Sequence, residues 1–134
     1  MWITPKTNWT SKDNINATDF NRISGNITEI NNEIYNILYE HVTVPTEFVQ
    51  TWEQYGIPLK NECDAIIEYL NNINNKVAVS EVIPTLFKYN YVELNQIETF
   101  LNAEHTWYLE QTAQRNKDEQ AYTTEIYSSE RGYM

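Results

Sequence analysis

The sequence predicts an all-α fold, a three-helix antiparallel bundle or helical hairpin with an extended N-terminal arm and a polar C-terminal tail. Three observations predict it. Apolar side chains recur every three or four positions in three separate segments, two of those segments open on an Asn followed three residues later by an acid, and long proline-bearing connectors part them. A chain of 134 residues with a hydrophobic fraction of 41% carries enough apolar surface for one core. The expected division is an extended arm over 1–15, a helical domain over 16–110 with helices at about 17–40, 59–75 and 91–110, and a C-terminal extension or tail over 111–134.

The arm mixes Trp2, Ile3, Pro5 and Trp9 with Thr, Lys and Asn and has no helical or two-residue period. Pro5 also biases Thr4 towards extended backbone. Two tryptophans so close together are costly to leave in water, so the arm is expected to pack on something.

The first helix starts at Asn16-Ala17-Thr18-Asp19, a capping-box pattern. Phe20, Ile23, Ile27, Ile30, Ile34 and Ile37 then form a heptad-like seam, while Arg22, Asn26, Glu29 and Glu33 fall off it and are expected in solvent. Within one chain such a seam packs against sister helices. Between chains, Ile at both seam positions favours trimers or higher states. Gly25, off the seam, costs about 1 kcal/mol relative to Ala.

Residues 42–58 form a connector whose Phe48, Val49, Trp52 and Tyr55 have spacing that permits a short helix. The second helix follows with the stripe Leu59, Cys63, Ile66, Ile67, Leu70 and Ile73, and frays into an Asn-rich end. Residues 76–89 are β-branched enough for a short strand, against which Pro84 argues. The third helix opens at Asn90-Tyr91-Val92-Glu93 and carries Leu94, Ile97, Leu101 and Tyr108, with Phe100 and Trp107 alongside. Its opening aligns with that of the first helix: Asn16…Asp19-Phe20-Asn21-Arg22-Ile23 against Asn90…Glu93-Leu94-Asn95-Gln96-Ile97. Two capped amphipathic helices resemble each other by default, and a duplicated unit is the alternative.

Composition excludes several chemistries. A net charge of −10 opposes direct binding to a phosphate backbone. Three glycines and one cysteine leave no Gly-rich nucleotide loop, disulfide or Cys-clustered metal site. No apolar run reaches the roughly 20 residues of a membrane span, and the first residues lack the order of a signal peptide. Glu40-His41 and Glu104-His105 place adjacent side chains about 100° apart on a helix, so neither makes a metal face, and both histidines are read as surface or boundary residues. Cys63 is read as a small core residue. No catalytic constellation or cofactor site emerges. The scattered carboxylates are read as a solvated face, with nucleic-acid mimicry by an acidic inhibitor of a host basic protein as the competing class. Asn, 17 in number, is read as a codon bias. Four tryptophans and ten tyrosines exceed what a three-helix core needs, and Trp2, Pro5, Trp9, Phe48, Trp52 and Tyr55 are read as candidate interface residues.

Trp2-Ile3-Thr4-Pro5-Lys6-Thr7-Asn8-Trp9, Asp13, Asn16, Asp19-Phe20-Asn21-Arg22-Ile23 and Asn26-Ile27 resemble a recurrent opening in structural proteins of phages infecting low-GC Gram-positive bacteria. The resemblance covers about a fifth of the chain, and at the second copy Gln96 replaces the Arg. It implies a non-enzymatic component of the virion tail, baseplate or neck, present in the host cytoplasm during assembly. The implied partners are its own copies and other virion proteins, with neither nucleic acid nor membrane bound directly. Asn21 and Arg22, one turn after the cap, are expected to fasten the returning arm by hydrogen bonds.

Overall fold

The first helix forms where its cap predicts. The Asn16 side chain accepts the Asp19 N–H at 3.3 Å, and the Asp19 carboxylate accepts the Asn16 N–H at 3.0 Å. These bonds satisfy two of the orphan donors that every helix start exposes. The helix, α1, spans Ala17–Leu38 and stops at Tyr39, whose φ of 59° is left-handed and turns the chain out of the helix. A computed structural model describes residues 1–132, with side chains through Ala121. It adds α2, Lys60–Lys76, and α3, Tyr91–Gly132. The all-α expectation holds, and no strand occurs among the described residues.

The helix directions depart from expectation. Arg22 meets Glu98, Glu33 meets His105, and the carbonyls of Asn36 and Ile37 meet Arg115. Partners therefore advance together along α1 and α3, and the two helices run parallel. The same holds for α1 and α2. Tyr89 touches both Phe20, at the start of α1, and Cys63, at the start of α2. Asn31 reaches Tyr69, and Glu40 pairs with Lys76. The expected antiparallel arrangement is thus corrected to three helices pointing one way, with α1 packed against both others. The connectors explain it. Antiparallel neighbours need only about 2–8 linking residues, whereas a parallel neighbour requires the chain to travel back the full length of a helix, about 33 Å for the 22 residues of α1. Residues 39–59 and 77–90 make those returns in extended, irregular form. Neither the short helix allowed around Phe48–Tyr55 nor the strand allowed in 76–89 forms.

The seam is buried within the chain. Phe20, Ile23, Ile27, Ile30 and Ile34 are each no more than 1% exposed, and Ile37, near the helix end, is half-buried. They meet Cys63, Ile66, Ile67, Leu70 and Ile73 from α2 and Leu94, Ile97, Phe100 and Leu101 from α3 in one core. Leu59, placed on the α2 stripe by spacing, is instead exposed, because the helix begins only at Lys60.

Of the two forms expected over 111–134, an extension of the third helix or a tail, the chain takes the extension. α3 continues to Gly132, and residues 133–134 lie outside the described residues. Arg115 donates to the carbonyls of Asn36 and Ile37 at 3.3 and 3.4 Å, placing a cation at the negative end of α1. From Ala113 to Ala121 the side chains of α3 are exposed.

Gly25 has open space around the position of a β-carbon and no left-handed φ. Gly25→Ala is therefore expected to raise unfolding free energy by about 0.5–1 kcal/mol in urea titrations; a loss of stability would mean that the backbone there needs glycine.

Candidate functional site

An extended segment cannot satisfy its own backbone, and buried N–H and C=O groups require partners. With no β-ladder, this chain supplies asparagine amides. The Asn26 side chain accepts the Ile3 N–H at 2.9 Å and donates to the Ile3 carbonyl at 2.7 Å. Asn95 does the same for Trp9, at 2.8 and 2.9 Å. Asn21 holds both backbone groups of Trp52 and Asn31 both of Val42. Each amide offers a donor beside an acceptor and so reads one residue of extended backbone as a neighbouring strand would. At least these four asparagines have a structural role that codon bias does not explain.

The N-terminal arm thereby lies in the groove between α1 and α3, running against their direction. Its centre is Glu98, fully buried on α3. The Glu98 carboxylate accepts the Lys6 N–H at 3.0 Å, the indole N–H of Trp9, and Arg22 Nε and Nη2 at 2.7 and 3.0 Å. Arg22 also donates to Asp19 at 3.0 Å. Burial works against the guanidinium charge, but the bonds to Glu98 and then Asp19 prevail and hold its pKa above the ordinary arginine value. The Trp9 ring carries the Lys6 ammonium at 4.2 Å and lies 5.9 Å from the Arg22 guanidinium.

Further up the groove, Trp2 stacks on His105 at 4.1 Å. His105 Nδ1 sits 2.8 and 3.0 Å from the two oxygens of Glu33, whose pKa is raised because burial outweighs the histidine's pull. The arm's terminal ammonium pairs with Glu29 at 3.3 Å. At the other end a turn closes the arm. Asp13 accepts the Thr10 N–H at 2.8 Å and pairs with Lys6 at 3.4 Å.

The residues singled out in the sequence fall as follows. Trp9, expected at a partner, is 4% exposed in this chain's own core, with Trp2 and Pro5 half-buried along the groove. The arm thus packs on its own helices, because α1 and α3 supply the polar partners that its backbone needs. Phe48 packs edge-on against Tyr69 at 4.8 Å, and Trp52 lies against Phe20 at 5.9 Å. Of the six, Tyr55 alone is largely exposed, at 89%. Arg22 does fasten the arm, through Glu98. Asn21 fastens the 39–59 connector instead, and the residues that grip the arm's backbone are Asn26 and Asn95. Asn26 and Glu33, expected in solvent, are buried because the arm and His105 cover them.

Sequence reasoning missed Asn95, Glu98 and His105 as arm contacts. The internal repeat held a signal for the first, since Asn95 occupies the position of Asn21 and both clamp a tryptophan backbone. Nothing local marks Glu98 among the other acids.

Glu104 is also interior, at 1% exposure, yet neither carboxylate oxygen has a partner, and burial pushes its pKa to about 8. Cys63 is buried, as expected, with its thiol pKa raised by burial. His41 is exposed and stacked on Tyr35 at 4.1 Å. Among the described residues no group of three His, Cys, Asp or Glu side chains is placed to hold a metal ion, and no helix is long and apolar enough to cross a membrane.

No protein-family model, curated protein or solved structure matches this chain.

Proposed function

We propose that the chain is a non-enzymatic structural component of a bacteriophage virion, an adaptor or assembly component of the tail, baseplate or neck. The observation that carries the reading is the opening motif. Its Trp2, Ile3, Lys6, Trp9, Asp19, Arg22 and Asn26 all take part in holding the arm against α1 and α3. A pattern whose members are linked across the fold is one unit under a common structural demand, which favours the resemblance over a chance match.

Self-association into trimers or larger rings fits this role, although it requires surfaces other than the isoleucine seam. Exposed Tyr35, Leu38, Tyr39 and Val44 at the C-terminal end of α1, and Tyr55, Ile57 and Leu59 before α2, are available. Apolar side chains of this size concentrate contact energy when covered. The competing reading, an acidic mimic of nucleic acid, loses support from Glu33, Glu98 and Glu104, which are buried and so present no charge to a partner.

Light scattering over a salt series, combined with mass spectrometry of purified particles, tests the choice. An adaptor is expected among the particle proteins and to keep its contacts at about 1 M salt, where charges are screened beyond about 3 Å. A chain absent from particles that captures a basic host protein only at low salt overturns the reading.

A further inference from the structure

We propose that the groove between α1 and α3 is a receptor for the N-terminal arm of a second copy of this chain, so that neighbouring copies exchange arms. The inference rests on the reading of the chain as an assembly component and adds the partner and the surface.

The occupant is identified by what the groove already holds. Every contact is chemistry that a neighbour's arm supplies equally well. Asn26 and Asn95 each take the N–H and C=O of one extended residue, Glu98 takes an indole N–H and a backbone N–H, and His105 takes an aromatic face. The groove does not register which copy the arm comes from. The covalent link from the arm to α1 is residues 10–15, of which Thr10, Ser11, Lys12 and Asn14 are exposed, while Ile15 packs against the core. Asp13 closes that link, and none of its hydrogen bonds reaches α1, α2 or α3. Opening the link at Asp13 therefore leaves the arm's sites on α1 and α3 intact, and exchanging an identical element between copies has a low thermodynamic cost. The short link keeps the arm at a high effective concentration near its own groove, so the closed monomer dominates in dilute solution. In an assembly, where copies are held side by side, that advantage disappears.

The test uses the full chain. Isotopically labelled and unlabelled protein are mixed at millimolar concentration, and NOEs between labelled and unlabelled chains are recorded together with the mass in solution. Expected are inter-chain NOEs from Trp2 to His105 and from Trp9 to Asn95, accompanied by dimer mass. Asp13→Ala, which removes the closing turn, is expected to raise the dimer-to-monomer ratio about fivefold or more. Trp9→Phe, which loses the indole bond to Glu98 in the closed chain and the exchanged dimer alike, is expected to leave it unchanged. Only same-chain NOEs up to millimolar concentration, or a dimer fraction indifferent to Asp13→Ala, overturns the proposal. A chain that exchanges arms but is absent from particles overturns the virion reading alone.

Discussion

Replacing Glu98 with alanine is expected to lower the unfolding free energy by about 3–5 kcal/mol, the usual loss when one member of a buried ion pair is removed. Glu98 is fully buried, and the Arg22 side chain that it pairs with is only 13% exposed. Without the carboxylate, Arg22 keeps Asp19 but loses its bonds from Nε and Nη2, while the Lys6 N–H and the Trp9 indole lose their acceptor. A double-mutant cycle with Arg22→Met separates the pair from the arm. The coupling is expected to be large, because Arg22→Met removes the charge that Glu98→Ala strands. Trp9 fluorescence should shift to the red in Glu98→Ala as the indole leaves the core. A variant with unchanged urea midpoint and unshifted fluorescence would show that the arm is held by other contacts.

Replacing Glu104 is expected to act in the opposite direction. Its folded pKa, about 8, lies above the ordinary 4.5, so the native state binds more protons than the unfolded chain between those values. Stability is therefore fully present below about pH 4.5, falls as pH rises, and levels off once pH has passed about 8. At pH 7 the deficit is on the order of 3 kcal/mol. Glu104→Gln keeps the shape and removes the titration, so its advantage over the parent should be absent at pH 4 and grow to a plateau near pH 9. Glu104→Met also removes the two unsatisfied oxygens and should be the more stable of the two at every pH. Because Glu33 is shifted in the same direction by its own burial, some slope should survive in both variants. Urea titrations at pH 4, 7 and 9 supply the comparison. A constant difference between parent and Glu104→Gln across that range would mean that Glu104 is solvated.

Much of the helical skeleton was legible in the residues alone. A helix start is a local event, and Asn16 with Asp19, or Asn90 with Glu93, carries its own signal in four positions. Buried stripes are also local in sequence, because a helix brings every third or fourth residue to one face. Long connectors were visible as well, as the segments that part the helices. Their length is equally what a parallel return requires, and that second meaning follows only from the pairing of Arg22 with Glu98 and of Arg115 with the end of α1.

The candidate site was less legible for a physical reason. Glu98, Glu104 and Glu33 have the same side chain as the exposed acids around them, and what separates them is which segment lies on top. Arg22 and the Trp9 indole make Glu98 a satisfied hub. No polar atom reaches Glu104, which is pushed towards neutrality, and His105 gives Glu33 a partner beneath Trp2. Local periodicity thus determined the class, the caps and the core stripes. Helix direction, the arm's place in its own groove and the fate of each buried acid were decided by tertiary structure, because all three depend on groups up to 92 residues apart that meet only after the chain has doubled back.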